Sequence, residues 1–345
     1  MGRQAELRSA IVAGAAGFIG SHLCDALLHR GFHVVAIDNF RSGRPGNLRH
    51  LAGDASFRVI NADIIDPLPL ALRADVIFNL ACAASPPHYQ ADPVHTMMTS
   101  VVGTRNLLAL AADLGARFVL ASTSEIYGDP LHHPQKEDYC GNVNPTGPRA
   151  CYDEGKRAAE TLSFDYLRAG KVDCRVARIF NTYGPRMRAD DGRVVSNLVT
   201  QALVGSDISI YGDGTQTRSF CYLDDLVSGL MALGLREKPV QTPVNLGNPS
   251  EITVKDLAQT VIEITRSHSR IVYGPLPADD PRRRKPDIAL AKELLGWTPK
   301  VPLRQGLTKT IDWFASTRQE WDCVNSIATA KAMRELNGAS EEASL

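Results

Sequence analysis

The stretch Ala10-Ile11-Val12-Ala13-Gly14-Ala15-Ala16-Gly17-Phe18-Ile19-Gly20 decides the predicted fold. Its four apolar residues predict a short buried strand, and the apolar spacing that follows predicts a helix reaching Gly31. Glycines between a strand and a helix let the backbone approach a pyrophosphate at the positive end of the helix. A second strand, 33–37, ends at Asp38, about 20 residues past the glycines, where a carboxylate can accept both hydroxyls of an adenosine ribose. A glycine cluster alone is usually a turn, but this order of elements predicts a dinucleotide site.

The acid at Asp38 favours NAD over NADP, because a carboxylate repels a 2′-phosphate. Arg41 and Arg44 weaken this argument, since either could meet that phosphate. A solvated loop is the more common interpretation of such arginines.

Further strands at 57–64, 75–80, 117–122 and 172–179, separated by helical segments such as 93–114, predict right-handed crossovers. The fold class is therefore α/β, a doubly wound parallel (Rossmann) sheet with a second, smaller α/β substrate domain. We expect residues 1–180 to form the NAD-binding domain, 181–316 the substrate domain and 317–345 a polar tail that frays or forms a helix at 325–335. Further helices are predicted at 224–235, 253–266, 287–295 and 303–315.

Tyr152 and Lys156 lie one turn apart on a predicted helix, so an ammonium group there can favour the phenolate. Such pairs arise often by chance. Thr123 and Glu125, however, follow a strand at the same sheet edge as the glycine loop, where ligands of doubly wound sheets bind. A phenolate beside Thr123 could take a proton from a sugar or alcohol hydroxyl.

The bulk composition is that of an ordinary globular chain of 345 residues. A formal net charge of zero gives no field to hold nucleic acid. Seven scattered cysteines without a C-x-x-C pair predict reduced thiols, a cytoplasmic location and no metal site. No signal peptide or membrane span is predicted. The basic run 282–285 predicts a solvated surface patch.

Longer motifs add a resemblance to a known family. They are Asp38-Asn39-Phe40, 84–90, 122–130, 141–145, 151–157, 178–186, 191–197 and, around Arg284, 279–281 and 286–287. Residues 10–316 resemble the extended short-chain dehydrogenase/reductases that act on nucleotide sugars, and among them the UDP-glucuronate decarboxylases. The glycines and the Tyr/Lys pair are common to the whole superfamily. Thr123-Ser124-Glu125 and the segments around Arg193 and Arg284 are more specific to decarboxylases.

The resemblance implies conversion of UDP-glucuronate to UDP-xylose with NAD, by C4 oxidation, loss of CO2 from the β-keto acid and return of hydride to C4. The implied catalytic residues are Thr123, Glu125, Tyr152, Lys156 and Arg284. The residues expected to bind NAD are Gly14, Gly17, Phe18, Ile19, Gly20, Asp38, Asn39, Phe40, Asp63, Ile64, Leu80, Ala81, Thr99, Tyr152, Lys156 and Thr182. Those expected to bind the UDP-sugar are Ser85, Tyr89, Asn106, Asn181, Arg193, Tyr211, Gln216, Arg218 and Arg284.

Relatives with other reactions define the alternatives. A related 4,6-dehydratase carries Asp-Glu where Ser124-Glu125 stand, and a 4-epimerase usually has no carboxylate at position 125. Met98 and Ser100 depart from the usual lysine and Thr-Asn of this family. A 4-epimerase, an oxidative decarboxylase that releases the 4-keto pentose, and a silent NAD-binding protein stay open. The resemblance also implies a homodimer that pairs helices such as 93–114 and 149–168, although their alanines would equally suit contacts within one chain.

Overall fold

Strands and helices alternate along the first half of the chain. The computed structural model describes residues 8–68, 72–275 and 283–318. The strands are β1 (Ser9–Ala13), β2 (His33–Asp38), β3 (Phe57–Asn61), β4 (Val76–Asn79), β5 (Arg117–Thr123), β6 (Cys174–Ile179), β7 (Thr182–Tyr183), β8 (Ile208–Tyr211), β9 (Thr217–Ser219), β10 (Cys221–Tyr222), β11 (Val244–Leu246), β12 (Glu251–Thr253), β13 (Ile271–Gly274) and β14 (Arg283–Arg284). The helices are α1 (Phe18–His29), α2 (Pro86–Ala91), α3 (Pro93–Met98), α4 (Thr104–Leu114), α5 (Ala150–Arg168), α6 (Val194–Val204), α7 (Leu223–Leu235), α8 (Val254–Thr265), α9 (Ala289–Leu295) and α10 (Leu303–Ser316).

The main sheet contains, within the described ranges, seven parallel strands in the order β3-β2-β1-β4-β5-β6-β11. The chain direction across the sheet reverses between β1 and β4. Ligands of doubly wound sheets bind at this switch point, beyond the carboxyl ends of the strands. The predicted doubly wound fold is confirmed, and it brings the glycine loop after β1 next to the ends of β4 and β5.

Successive residues of β1 face opposite sides of the sheet, as the two-residue period of a strand requires. Ala10 and Val12 are buried in a cluster with residues of α1 and α7. Ile11 and Ala13 are buried in a second cluster with residues of α4 and α5. Both faces of the sheet are therefore covered by helices, which explains why its central strands read as continuous apolar runs.

The second, smaller unit packs α6, α8 and α10 around a separate apolar cluster, beside short strand pairs such as β8 with β13. The chain does not stay in this unit after residue 180. Helix α7 joins the first core and β11 pairs with β6 as the seventh strand of the main sheet. A division at residue 180 therefore leaves one helix and one strand of the NAD-binding sheet in the second segment.

The helix predicted at 93–114 is interrupted. Helix α3 runs into a π-helical turn, Thr99–Gly103, before α4 begins. Gly103 packs against Ile64, where an added Cβ would lie 2.4 Å from Cδ1. The turn lies against α5, since an added Cβ on Gly155 would meet Ser100 at 3.0 Å. Such π turns are frequent near functional sites.

The helix predicted at 325–335 and the tail beyond residue 318 lie outside the described residues. Within the part of the chain that the structure describes, no helix combines the length and apolar character needed to cross a bilayer.

Candidate active site

The glycine loop between β1 and α1 lines two neighbouring cavities at the edge of the sheet. Gly14 has a φ of +78°, and a Cβ there would lie 2.7 Å from the carbonyl carbon of Leu80. A Cβ on Gly20 would lie 2.1 Å from the Gly14 oxygen. Only glycine fits this close approach of loop, helix and neighbouring strand, so the residues present suit the pyrophosphate of a dinucleotide.

Asp38 is fixed at the end of β2. Its Oδ2 accepts a hydrogen bond from the Ala16 amide, and its Oδ1 accepts one from the Phe40 amide, both at 2.8 Å. Burial raises the pKa of Asp38, and the two backbone hydrogen bonds oppose the shift. Each carboxylate oxygen keeps a lone pair for a ribose hydroxyl.

A cavity of about 320 Å³ extends from Asp38 along the sheet edge. The predicted NAD-binding residues that line it are Gly14, Gly17, Asp38, Asn39, Asp63, Ile64, Leu80, Ala81 and Thr99. Asp63 accepts hydrogen bonds from Asn39 at 2.6 Å and contacts His95 at 2.8 Å.

Phe40 was predicted to contact the cofactor but does not line this cavity. Its positive φ of 57° directs the amide to Asp38, while the ring packs against the apolar core of the sheet. Its contribution to the site is therefore made by the backbone.

The two arginines after Asp38 are both engaged with carboxylates. Arg41 pairs with Asp92 at 2.6 Å and Arg44 approaches Asp190 at 3.6 Å. Their charges are thus partly satisfied within the protein, which leaves the carboxylate of Asp38 as the feature that selects NAD over NADP.

The predicted catalytic residues at the end of β5, on the turn that follows it and on α5 meet in a neighbouring cavity of about 180 Å³. Thr123, Glu125, Tyr152 and Lys156 line it together with Gly14, Gly17, Phe18, Ile19, Gly20, Ser85 and Thr182. Thr123 lies close enough to Tyr152 to lower the pKa of its phenol, and the Thr123 hydroxyl accepts a hydrogen bond from the Glu125 amide at 3.2 Å. The Tyr152 ring is stacked on that of Tyr89, with centroids 5.1 Å apart and planes at 2°.

The surroundings of Tyr152 in the protein do not acidify it. Burial raises the pKa of the phenol, the nearby Cys82 thiol adds to the shift, and the Thr123 side chain opposes it. Lys156 is buried and donates to the Ala121 carbonyl at 2.9 Å, and burial lowers its own pKa. The spacing of the pair predicted an ammonium that favours the phenolate, but sequence spacing does not show how deeply both groups are buried.

Glu125 is clamped between two arginines. Arg149, at the N-terminal end of α5, donates to Oε2 at 2.7 Å, and Arg284 from the second unit donates to Oε1. Burial alone would raise the pKa of Glu125, but the two guanidinium groups outweigh it and lower the pKa. The two arginines therefore hold Glu125 as a carboxylate.

Arg284 contradicts the prediction of a solvated basic run. It is 3% exposed and also donates to the Gly128 carbonyl at 3.2 Å.

The third cavity, of about 430 Å³, lies between the sheet edge and the second unit. Glu125 lines both this cavity and the catalytic one. The predicted substrate-binding residues that line it are Tyr89, Asn181, Arg193, Tyr211, Gln216, Arg218 and Arg284. Ser85 lies in the catalytic cavity instead, with its hydroxyl 2.9 Å from His88 Nδ1.

Asn106, predicted to bind the UDP-sugar, lies away from the three cavities. Its side-chain amide donates to the Ile64 and Ile65 carbonyls at 2.9 and 3.1 Å, and it lines none of the three cavities. It lies on α4, on the helical side of the sheet, where it fastens the loop after β3.

Sequence reasoning missed one residue of the site, Arg149, which lines the third cavity and donates to Glu125. It precedes Tyr152 by three residues, so a search of the α5 face for charged neighbours would have found it.

A buried network supports the turn that carries Glu125. Arg178 on β6 donates to Glu160 on α5 at 2.8 Å and to the Tyr127 hydroxyl at 3.0 Å. Tyr127 in turn donates to Asn245 on β11 at 2.8 Å. Two strands and a helix thereby fix the 3₁₀ turn Ser124–Tyr127.

The comparisons with known proteins agree with this geometry. A family model described as the NAD dependent epimerase/dehydratase family matches residues 10–247. The chain belongs to this family. The family name and the NAD present in solved relatives confirm the predicted cofactor.

Within this family the chain is 55% identical to UDP-glucuronic acid decarboxylase 1 of Arabidopsis thaliana over 304 residues, 88% of this chain and 69% of that protein. It is 50% identical to UDP-glucuronic acid decarboxylase 1 of Danio rerio over 328 residues, 95% of this chain and 78% of that protein. The resemblance to decarboxylases is therefore confirmed. The solved structure of UDP-glucuronic acid 4-epimerase from Bacillus cereus with UDP-glucuronic acid and NAD matches with a TM-score of 0.81 and 30% identity, over 89% of this chain and 99% of that one.

Proposed function

We propose that this enzyme decarboxylates UDP-glucuronate to UDP-xylose. The observation that carries the proposal is the Glu125 carboxylate, held by Arg149 and Arg284 in a cavity that also contains Thr123 and Tyr152. Relatives at 50–55% identity are named for this reaction. NAD held by the glycine loop and Asp38 would supply the hydride acceptor for oxidation at C4 and the hydride for the final reduction.

The residues of α5 and β5 manage the C4 proton. In its phenolate form, Tyr152 accepts the proton of the C4 hydroxyl as that carbon is oxidised, and the Thr123 side chain beside it favours that form by lowering the pKa of the phenol. Lys156, anchored on the Ala121 carbonyl, supplies positive charge one turn along the helix. Stacking on Tyr89 keeps the Tyr152 ring in place.

The arginine clamp acts on the carboxyl end of the sugar. Oxidation at C4 makes the sugar a β-keto acid, in which the new carbonyl accepts the electron pair of the C5–C6 bond as CO2 leaves. Glu125 starts the cycle ionised, so it can accept a proton but has none to donate. Arg193 lines the same cavity beside Glu125, and its guanidinium is paired with Asp191 at 2.9 Å. The planar guanidinium forks suit the carboxylate and the diphosphate of the substrate.

The 4-epimerase structure favours one second candidate. UDP-glucuronic acid 4-epimerase begins with the same oxidation, and its fold matches this chain at 30% identity. The two reactions differ in whether the carboxylate leaves the 4-keto sugar.

Product analysis tests both candidates. UDP-glucuronate labelled in its carboxyl group should release labelled CO2 and leave UDP-xylose, without net NADH. UDP-galacturonate without CO2 would establish epimerisation instead, and NADH formed in proportion to CO2 would establish release of the 4-keto pentose. Tyr152→Phe should abolish turnover while NAD still binds. Undiminished activity in that variant would refute the assigned role of Tyr152.

We also propose a cytoplasmic homodimer. Val94 and Met98 on α3 are 70% and 38% exposed, which is unusual for apolar side chains beside an active-site helix and suits a partner subunit. The six cysteines in the described part of the chain are free thiols, which suits a reducing compartment. Light scattering after size exclusion would measure the assembly, and fractionation of cells would measure the location. A monomer would contradict the proposed homodimer, and a membrane-bound pool would contradict the proposed cytoplasmic location.

A further inference from the structure

A short segment after Asp38, residues 41–44, lies where the two cofactor cavities meet. Ser42 lines both the cavity that contains Asp38 and the cavity that contains Tyr152. A dinucleotide held by both of these residues therefore passes Ser42. Gly43 packs on the Asp38 carboxylate, since an added Cβ there would lie 2.7 Å from Oδ1. We call residues 41–44 the flap, because they cover the carboxylate expected to bind the ribose.

An ion pair fastens the beginning of the flap to the start of α3. Arg41 donates to Asp92 Oδ2 at 2.6 Å, and both residues line the cavity that contains Asp38. Asp92 is itself fixed, because its Oδ1 accepts a hydrogen bond from the His95 amide at 3.1 Å as the N-cap of α3. The flap is thereby joined to a second element of the same cavity.

The remainder of the flap is fastened to the second unit. Arg188 donates to the Ser42 carbonyl at 3.3 Å, and it donates to both oxygens of Asp190 at 2.8 and 2.6 Å. Asp190 in turn approaches Arg44 at 3.6 Å. Met187, next to Arg188, is buried in the apolar cluster of the second unit. The two units therefore hold the flap between them.

We propose that the fastened flap retains the cofactor through each reaction cycle. The proposed function, on which this consequence rests, requires the hydride removed from C4 to return to the same sugar. Reduced cofactor that left early would strand the 4-keto sugar. Arg41, Arg188 and Asp190 are then positioning residues that keep the flap closed, and they take no part in bond making or breaking.

Release of NADH measures this retention directly. The protein is loaded with NADH, whose fluorescence reports binding, and is mixed with an excess of NAD in a stopped-flow instrument. Arg41→Gln and Asp190→Asn should each raise the release rate about two- to fivefold, and the double variant should raise it on the order of tenfold, because exposed ion pairs contribute in this range. UDP-glucuronate is absent, so the rate does not depend on decarboxylation.

A matched control removes an exposed ion pair elsewhere. Asp165→Asn deprives Arg168 of its partner on α5, and neither residue lines any of the three cavities. This variant should release NADH at the unaltered rate. Raising the salt concentration from about 0.05 M to about 0.5 M should bring the rates of the unaltered protein and the double variant together, because salt screens exposed charges.

The proposal is overturned if the double variant releases NADH at the unaltered rate, or if Asp165→Asn speeds release equally. Release from the unaltered protein needs no substitution, so a rate that does not rise with salt overturns the proposal even if the variants do not fold. With UDP-glucuronate added, the double variant should form more NADH per CO2, and an unchanged ratio would contradict the role in hydride return. Absence of CO2 from the unaltered protein would instead refute the decarboxylation, of which the release rates are independent.

Discussion

Replacing Asp153 by asparagine should stabilise the protein, and more so at high pH. A buried carboxyl group whose folded-state pKa is raised opposes folding once it must ionise. For Asp153 the pKa rises from 3.8 to about 7. The destabilisation begins as pH rises through the unfolded value and is complete above the folded value. This rise of about three pKa units lowers the free energy of unfolding by about 4 kcal/mol at pH 8 and by less than about 2 kcal/mol at pH 5.

Asparagine keeps the shape of the side chain and cannot ionise, so Asp153→Asn removes this opposition. Equilibrium urea denaturation of both proteins, with the same NAD concentration, measures the free energy of unfolding at pH 5, 6, 7 and 8. The stabilisation by the variant should grow with pH and level off near pH 8. Glu154→Gln should change the free energy by about 0.5 kcal/mol or less at every pH. A stabilisation that does not change with pH would show that Asp153 is already ionised at pH 5, and the reasoning would fail.

Three further substitutions test the site and its support. Gly14→Ala forces a side chain into a left-handed conformation 2.7 Å from the Leu80 carbonyl carbon, so the Kd for NAD should rise at least about tenfold in a fluorescence titration; unchanged affinity would contradict the assignment of the glycine loop to the NAD site. Arg178→Met leaves the buried Glu160 without its ion-pair partner and should lower the free energy of unfolding by about 3–5 kcal/mol in urea, with partial recovery when Glu160→Met is added. Asn106→Ala should leave the KM for UDP-glucuronate unchanged while costing about 1–2 kcal/mol of stability; a higher KM would return this residue to the substrate site.

Local patterns explain what the sequence predicted well. The strand, glycines, helix and acid of the cofactor site are neighbours along the chain. The residue types also indicate the local backbone: glycine, for example, adopts the positive φ observed at Gly14 without strain. Thr123 and Glu125 could be placed beside the glycine loop because the carboxyl ends of parallel strands share one edge of the sheet. The roles assigned to these residues stay predictions until variants are assayed.

Features that depend on packing across long sequence separations were not predicted. Strand β11 is three residues long and carries no pattern that places it beside β6. Arg149 and Glu125 are 24 residues apart, and their contact depends on how α5 packs on the turn after β5. The burial that raises the pKa of Tyr152 likewise comes from surrounding elements, whereas the sequence shows only the spacing to Lys156.

That raised pKa suits the second half of the proposed reaction. When CO2 leaves the β-keto acid, the electron pair moves to the C4 oxygen and an enolate forms there. A protonated Tyr152 and the Thr123 hydroxyl are donors at this oxygen, and donors aimed where charge develops lower the barrier most. At the other end, Arg149 and Arg284 each donate to Glu125, so their positive charge is shared between Glu125 and the substrate carboxylate and stabilises the ionised ground state less. The donors at the C4 oxygen thus stabilise negative charge there, whereas the arginines stabilise the negative charge of the C6 carboxylate only weakly. This difference favours loss of CO2 over epimerisation of the same 4-keto intermediate.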